Sequence, residues 1–293
     1  MSSLILASAT ERAGTAMRRS PWRSVRANPT LAAGLAILVA LLAVAVAAPW
    51  LGTVDPTAIA PAQRLKPPSA AFWFGTDMLG RDIYSRVVYG TRVSLLVGFS
   101  VAVIVGAVSL VLGLVATFVR VSDGPIMRFM DGLMSVPSVL FAIALMAIVG
   151  PSLGNVVFAI SVTEVPRLTR IIRAQTLSLR ERAFVEAAVV SGTSLPMLLV
   201  RHILPNVISP VIVQMSFVCA SAMMVEAMLS FLGAGLPPDV PSWGNIVASG
   251  KGVFQVRPSI VLIPSVFLTL AVLGVNLLGT GLGRALEPRA RQG

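Results

Sequence analysis

Few side chains in this sequence are equipped for covalent chemistry. His202 is its one histidine and Cys219 its one cysteine, so an internal disulfide and a cysteine metal cluster are excluded and a histidine-based catalytic site has little to work with. No H-x-x-x-H spacing or carboxylate cluster suggests a metal site. The only lysines, Lys66 and Lys251, lie outside any G-x-x-x-x-G-K-[ST] run, so ATP hydrolysis would have to come from another polypeptide. What remains is polar chemistry set in apolar sequence. Glu226, Gln214 and Asn276 interrupt long apolar runs, where such groups are candidate contacts for a polar solute. Interhelical hydrogen bonds, and snorkelling for Glu226, are the alternatives. A helix over residues 77–89 would carry Asp77, Arg81, Asp82 and Arg86, with Asp82 beside Arg86 as a surface pair worth at most about 1 kcal/mol. Trp243, among prolines, reads as the anchor of a stiff loop or as a headgroup-level tryptophan.

The elements that must position these groups are membrane spans. With 56% hydrophobic and only 12% charged residues, the chain cannot hide its apolar surface in one small core, because an ordinary soluble domain is about a quarter charged. An all-α membrane protein with six transmembrane helices follows. Spans are expected over 31–51, 93–119, 133–149, 153–172, 207–232 and 259–282, the fourth being short unless it continues past Pro166. In that fourth span Arg167, Arg170 and Arg173 would snorkel to headgroups. Ala45-Val-Ala47 resembles a signal-peptidase site, but the first run is long for a signal core and more spans follow. Gly98, Gly106 and Gly113 form a small-residue stripe suited to close helix approach in lipid. Pro137 lies near the start of the third run, and the third and fourth runs together have a re-entrant pair as their alternative.

The net charge of +11 does not point to nucleic acid, because the basic residues fall between apolar runs instead of on one face. Counted over alternate connections, 16 of the 23 Lys and Arg share the side of the N-terminus. Positive-inside then puts both termini, residues 1–30 and 284–293, in the cytoplasm and residues 52–92 outside. A polar island at about 180–205 is also cytoplasmic. Within it Phe184, Val185, Ala188 and Val189 make an apolar patch at helical spacing, and the small Ala187 and Ala188 allow close approach. Gly192 breaks the helix, Ser194 caps a second one with Pro196 in its first turn, and Leu204-Pro205 ends it. Two short helices at an angle would form a knob or, alternatively, lie on the membrane.

Phe184-Val-Glu-Ala-Ala-Val-Val-Ser-Gly-Thr193 followed by Leu204-Pro205 resembles the E-A-A-x3-G…L-P coupling loop of ABC importer permeases, with Glu186, Ala187, Ala188 and Gly192 at the pattern positions. His202 stands where an isoleucine is frequent, and Arg201-His-Ile-Leu-Pro205 is similar to the peptide and nickel importer subgroup. Phe74-Gly-Thr-Asp-Met-Leu-Gly-Arg-Asp-Ile-Tyr-Ser-Arg86, Met130-Asp-Gly-Leu-Met-Ser-Val-Pro137, Glu226-Ala-Met-Leu-Ser-Phe-Leu-Gly233 and Pro237-Pro-Asp-Val-Pro-Ser-Trp-Gly-Asn245 resemble segments of the C-type permease of dipeptide and oligopeptide importers.

The resemblance implies a type I ABC-importer permease fold in a bacterial inner membrane, with residues 93–283 as the core. It implies a homologous second permease, two ATP-binding subunits carrying ATP and magnesium, an extracytoplasmic binding protein and a peptide cargo, with no cofactor in this chain. Phe184, Glu186, Ala187, Ala188, Gly192, Leu204 and Pro205 would couple to the ATPases. Asp77, Arg81, Asp82, Arg86 and Trp243 would form a docking surface or outer gate. A nickel or other small-solute importer is the near alternative, and an ATP-independent carrier or channel the distant one.

Overall fold

The computed structural model describes residues 28–286, so most of both expected tails lies outside the described residues. Among the described residues, four helices are long and apolar enough to cross a membrane, with a fifth crossing if one bent pair counts as a span. The first, α1 (Pro29–Ala47), opens on a proline, whose missing N–H is unneeded in a first turn. A turn of 3₁₀ helix, Ala48–Trp50, closes it.

The long segment between α1 and the next helix, α2 (Ile83–Phe118), is folded against itself. Ala60 N–H donates to Leu79 O at 3.1 Å and Thr76 N–H to Lys66 O at 3.1 Å. The helix expected over 77–89 starts only at Ile83 and runs without a break into the second span. Asp82 sets that start by accepting from Ser85 N–H at 2.9 Å, an N-cap in mid-loop sequence.

The glycine stripe on α2 does the packing expected of it. A Cβ on Gly98 or Gly106 would lie 2.7 Å from Met223 or 2.6 Å from Met215, both on the helix α8 (Leu204–Phe231). One on Gly113 would lie 2.7 Å from Ile172 of α5 (Leu153–Arg180). α2 is thus held by both neighbours where its backbone is bare.

The third span differs from expectation. Residues 120–132, expected as a short charged connection, and the first two residues of the expected span over 133–149 form α3 (Arg120–Met134), and only α4 (Ser138–Val149) follows, bent from it by 89°. Pro137 explains the break, since the residue before a proline is pushed out of helical conformation. The fourth is longer than expected: α5 continues through Pro166 for 28 residues, yet it carries too many charges to count as a crossing by apolar composition. A length of about 42 Å suffices for a membrane. Beyond the polar island come α6 (Ala183–Val190), α7 (Leu195–Leu198) and α8, then α9 (Trp243–Gly250) in the second outer loop and α10 (Ser259–Leu286). α10 lies along α1 and α8.

Candidate functional site

At the polar island, α5 stops at Arg180 and α6 starts at Ala183, with two residues between them. On α6, Val185 is turned inward, while Phe184, Val189 and Val190 are 45, 56 and 88% exposed. Glu186 and Ala187 are also exposed, and Ala188 is half-buried. The helix ends in a Schellman motif. Thr193 N–H donates to Ala188 O at 3.1 Å, Gly192 N–H donates to Val189 O at 3.0 Å, and Gly192 takes φ +79°. Nothing crowds Gly192, so backbone conformation alone demands a glycine there.

The second short helix differs from expectation in two ways. Ser194 makes no side-chain cap bond. Leu204-Pro205 does not end the helix either, because α7 passes through a π turn, Leu199–Ile203, directly into α8. The Leu204 N–H reaches back to Leu199 O, and this wider turn accommodates a proline just after it. The knob is therefore joined to α8 by continuous helix and to α5 by two residues. Between it and the ends of α2 and α5 lies an open cavity of about 910 Å³, lined in part by Thr117, Arg120, Arg180, Glu186 and Val190.

At the opposite end, the charges expected on a surface are buried. Asp77, Arg81 and Arg86 are 1, 6 and 0% exposed. The expected Asp82–Arg86 pair is absent, since Asp82 is occupied with Ser85. Arg81 Nε instead donates to Asp77 Oδ2 at 2.7 Å, and Arg86 Nη1 stands 3.8 Å from the same oxygen without a hydrogen bond. Burial corrects the picture of these four as a ready docking surface: they brace the loop. Arg81 Nη1 also reaches Pro238 O at 3.3 Å in the second outer loop. Nearer the first span, hydrogen bonds from the Thr57 hydroxyl and amide hold the exposed Asp55 carboxyl below its ordinary pKa.

Trp243 is wholly buried at the start of α9, so its indole packs against protein and is not exposed to lipid headgroups. Its Nε1–H donates to Val87 O at 3.2 Å and its backbone N–H to Ser94 Oγ at 3.1 Å. Glu226 belongs to the same assembly. Its Oε1 accepts from Ser242 Oγ at 2.8 Å and Ser230 Oγ at 3.0 Å, and it has no exposed surface. The carboxylate thus clamps α9 to α8 and does not face a pathway. Asn276 is half-buried on α10.

Gln214 lines a small niche with Glu164, Arg167 and Phe217, between α5 and α8. Glu164 was not among the residues singled out by sequence, although a lone carboxylate in a span is the same signal that marked Glu226. The three arginines expected to snorkel divide. Arg173 makes a bidentate pair with Asp123 of α3 at 2.6 and 2.7 Å, Arg170 pairs with Asp131, and Arg167 alone faces the niche. No group of three or more His, Cys, Asp or Glu fit to hold a metal occurs among the described residues.

Comparison with known proteins places this geometry among transporters. Residues 109–292 match the family described as binding-protein-dependent transport system inner membrane component, and residues 17–68 match the N-terminal TM domain of oligopeptide transport permease C. The chain is 44% identical over 270 residues to a probable peptide ABC transporter permease protein of Sinorhizobium fredii, covering 92% of each. It is 39% identical to the dipeptide transport system permease protein DppC of Alkalihalophilus pseudofirmus, covering 93% of this chain and 91% of that one. Among solved structures, an inward-facing form of the MetNI methionine ABC transporter superposes with TM-score 0.62 at 14% identity, over 70% of this chain and 98% of that one. That likeness is one of fold.

Proposed function

Since the chain belongs to the family of binding-protein-dependent transport system inner membrane components and is a C-type permease subunit of a peptide ABC importer, we propose that it forms half of the path for di- and oligopeptides and that α6 receives the stroke of partner ATPases. The partners in this reading are a homologous permease, two ATP-binding subunits holding ATP and magnesium, and an extracytoplasmic binding protein. Both termini and α6 face the cytoplasm, in keeping with the distribution of Lys and Arg.

The observation that carries the reading is the mounting of α6. A short helix with exposed Phe184, Val189 and Val190 is tied to α5 by two residues, while continuous helix joins α7 to α8. A push on α6 is therefore delivered to two long helices as rigid-body motion, the kind of two-state change by which spans alternate access. Gly192→Val tests it. A β-branched residue at φ +79° costs about 1–3 kcal/mol locally and reshapes the end of α6 without touching the bundle. Expected is an assembled complex whose ATPase turns over while peptide uptake in proteoliposomes falls tenfold or more. Uptake at the wild-type rate would remove the coupling role from this loop.

A further inference from the structure

We propose that Glu164 and Arg167 make a two-charge contact for the ends of a zwitterionic solute, Glu164 taking an ammonium group and Arg167 a carboxylate. This rests on the reading of the chain as a peptide importer subunit. Three observations lead to it.

The first is depth. Counting along α5, Glu164 lies about 16 Å from Leu153 and Arg167 about 20 Å from Arg180, so both sit in the middle third of the helix. Next to them, Val165 O accepts from Ser109 Oγ at 3.1 Å, and Ser109 is within the apolar run of α2. Charges at that level facing lipid are costly, so this strip of α5 belongs against protein or a watery path.

The second is that both charges are uncommitted. Neither joins an ion pair among the described residues, although three positions on one helix face bring them within reach of each other. Their neighbours show the contrast: Arg170 and Arg173 are each spent on an aspartate of α3.

The third is orientation. Ser221 Oγ donates to Glu164 Oε1 at 2.8 Å, which steadies the carboxylate. Glu164, Arg167 and Gln214 line one niche of about 10 Å³, the room of a single water. A niche that small does not enclose a solute, which would instead lie across its mouth and bridge the two charges. Neighbours three apart on a helix have Cβ atoms about 5–6 Å apart. An extended dipeptide spans at most about 7 Å, so its two termini match that pair.

The test uses the complete transporter in proteoliposomes with saturating binding protein. The probes are dialanine, N-acetyl-dialanine, which lacks the ammonium, and dialanine amide, which lacks the carboxylate. Affinity of the binding protein for each probe is measured separately and divided out. Expected for Glu164→Gln is a fall of about tenfold in the preference for dialanine over the acetylated probe, the effect of one charge-assisted hydrogen bond, with Glu164→Asp retaining most of it. Arg167→Gln should reduce the preference for dialanine over the amide in the same way. Both ratios are independent of how much complex assembles. Equal loss of all probes, unchanged ratios, or a Glu164→Gln complex that fails to assemble while Glu164→Asp assembles would make these charges packing groups and overturn the proposal. Failure of the underlying function looks different: wild-type transporter would not take up dialanine at all.

Discussion

Replacing Trp243 with alanine should loosen the outer end of the bundle by about 3–5 kcal/mol, the usual cost of deleting a buried aromatic side chain. The site cannot collapse to fill the gap. The indole packs on Gly90 of α2, where even a Cβ would lie 3.3 Å from its ring, and on Phe267, 6.3 Å away between centroids. Loss of the indole N–H adds little on the acceptor side, since Val87 O also accepts from Thr91 Oγ1 at 3.1 Å. Trp243→Phe should therefore cost less, about 1 kcal/mol for the hydrogen bond plus a smaller void. Cys219 supplies the assay. It is buried where α8 meets Gly98 of α2, so a thiol-reactive fluorophore reports separation of these helices on heating in detergent. At about 2–3 °C per kcal/mol for a chain of this size, Trp243→Ala should lower the midpoint by roughly 6–15 °C. A shift below about 2 °C would refute the claim that Trp243 pins the outer loop to α2.

The same thermal assay reads two other predictions. Asp77→Ala leaves Arg81 and Arg86 buried without their nearest carboxylate and should cost about 3–5 kcal/mol, whereas a change near zero would mean that the outer loop does not need the charge. Gly113→Leu forces a side chain against Ile172, 2.7 Å from where its Cβ would be, and should cost about 1–3 kcal/mol by separating α2 from α5. Gly132→Ala, in open space on α3, is the control and should be neutral or slightly stabilising.

How far the sequence revealed the fold depended on whether the signal was local. The helices α1, α8 and α10 follow from long, predominantly apolar runs. The Gly98, Gly106 and Gly113 stripe announced tight contacts, though not that two face α8 and one faces α5. The start of α2 was missed because its cap, Asp82, sits in a run of charges that also fits a separate amphipathic helix. α5 was underestimated for a physical reason. Two of its arginines, Arg173 and Arg170, are offset by Asp123 and Asp131, 50 and 39 residues away, and no window of sequence pairs groups so distant. The outer cluster misled in the opposite sense: Asp77, Arg81 and Arg86 look like surface residues by type, and only the folding of the loop buries them. At the polar island Gly192 was legible as a stop, since a positive φ has a residue preference. The π turn that carries α7 through Pro205 was not, because a proline ordinarily marks an end.

In the proposed function an external ATPase works this chain through α6. The most direct test is purification of the chain from native membranes in mild detergent, with identification of what accompanies it, for the wild type and for Phe184→Asp. Phe184 is 45% exposed on α6, so the charge leaves the fold intact and spoils an apolar contact. Wild-type chain should bring down a second permease and an ATPase of different sequence, and Phe184→Asp should retain the permease but lose most of the ATPase. A homo-oligomer that transports peptide fully with no ATPase present, or equal ATPase recovery with both forms, would contradict that role of α6.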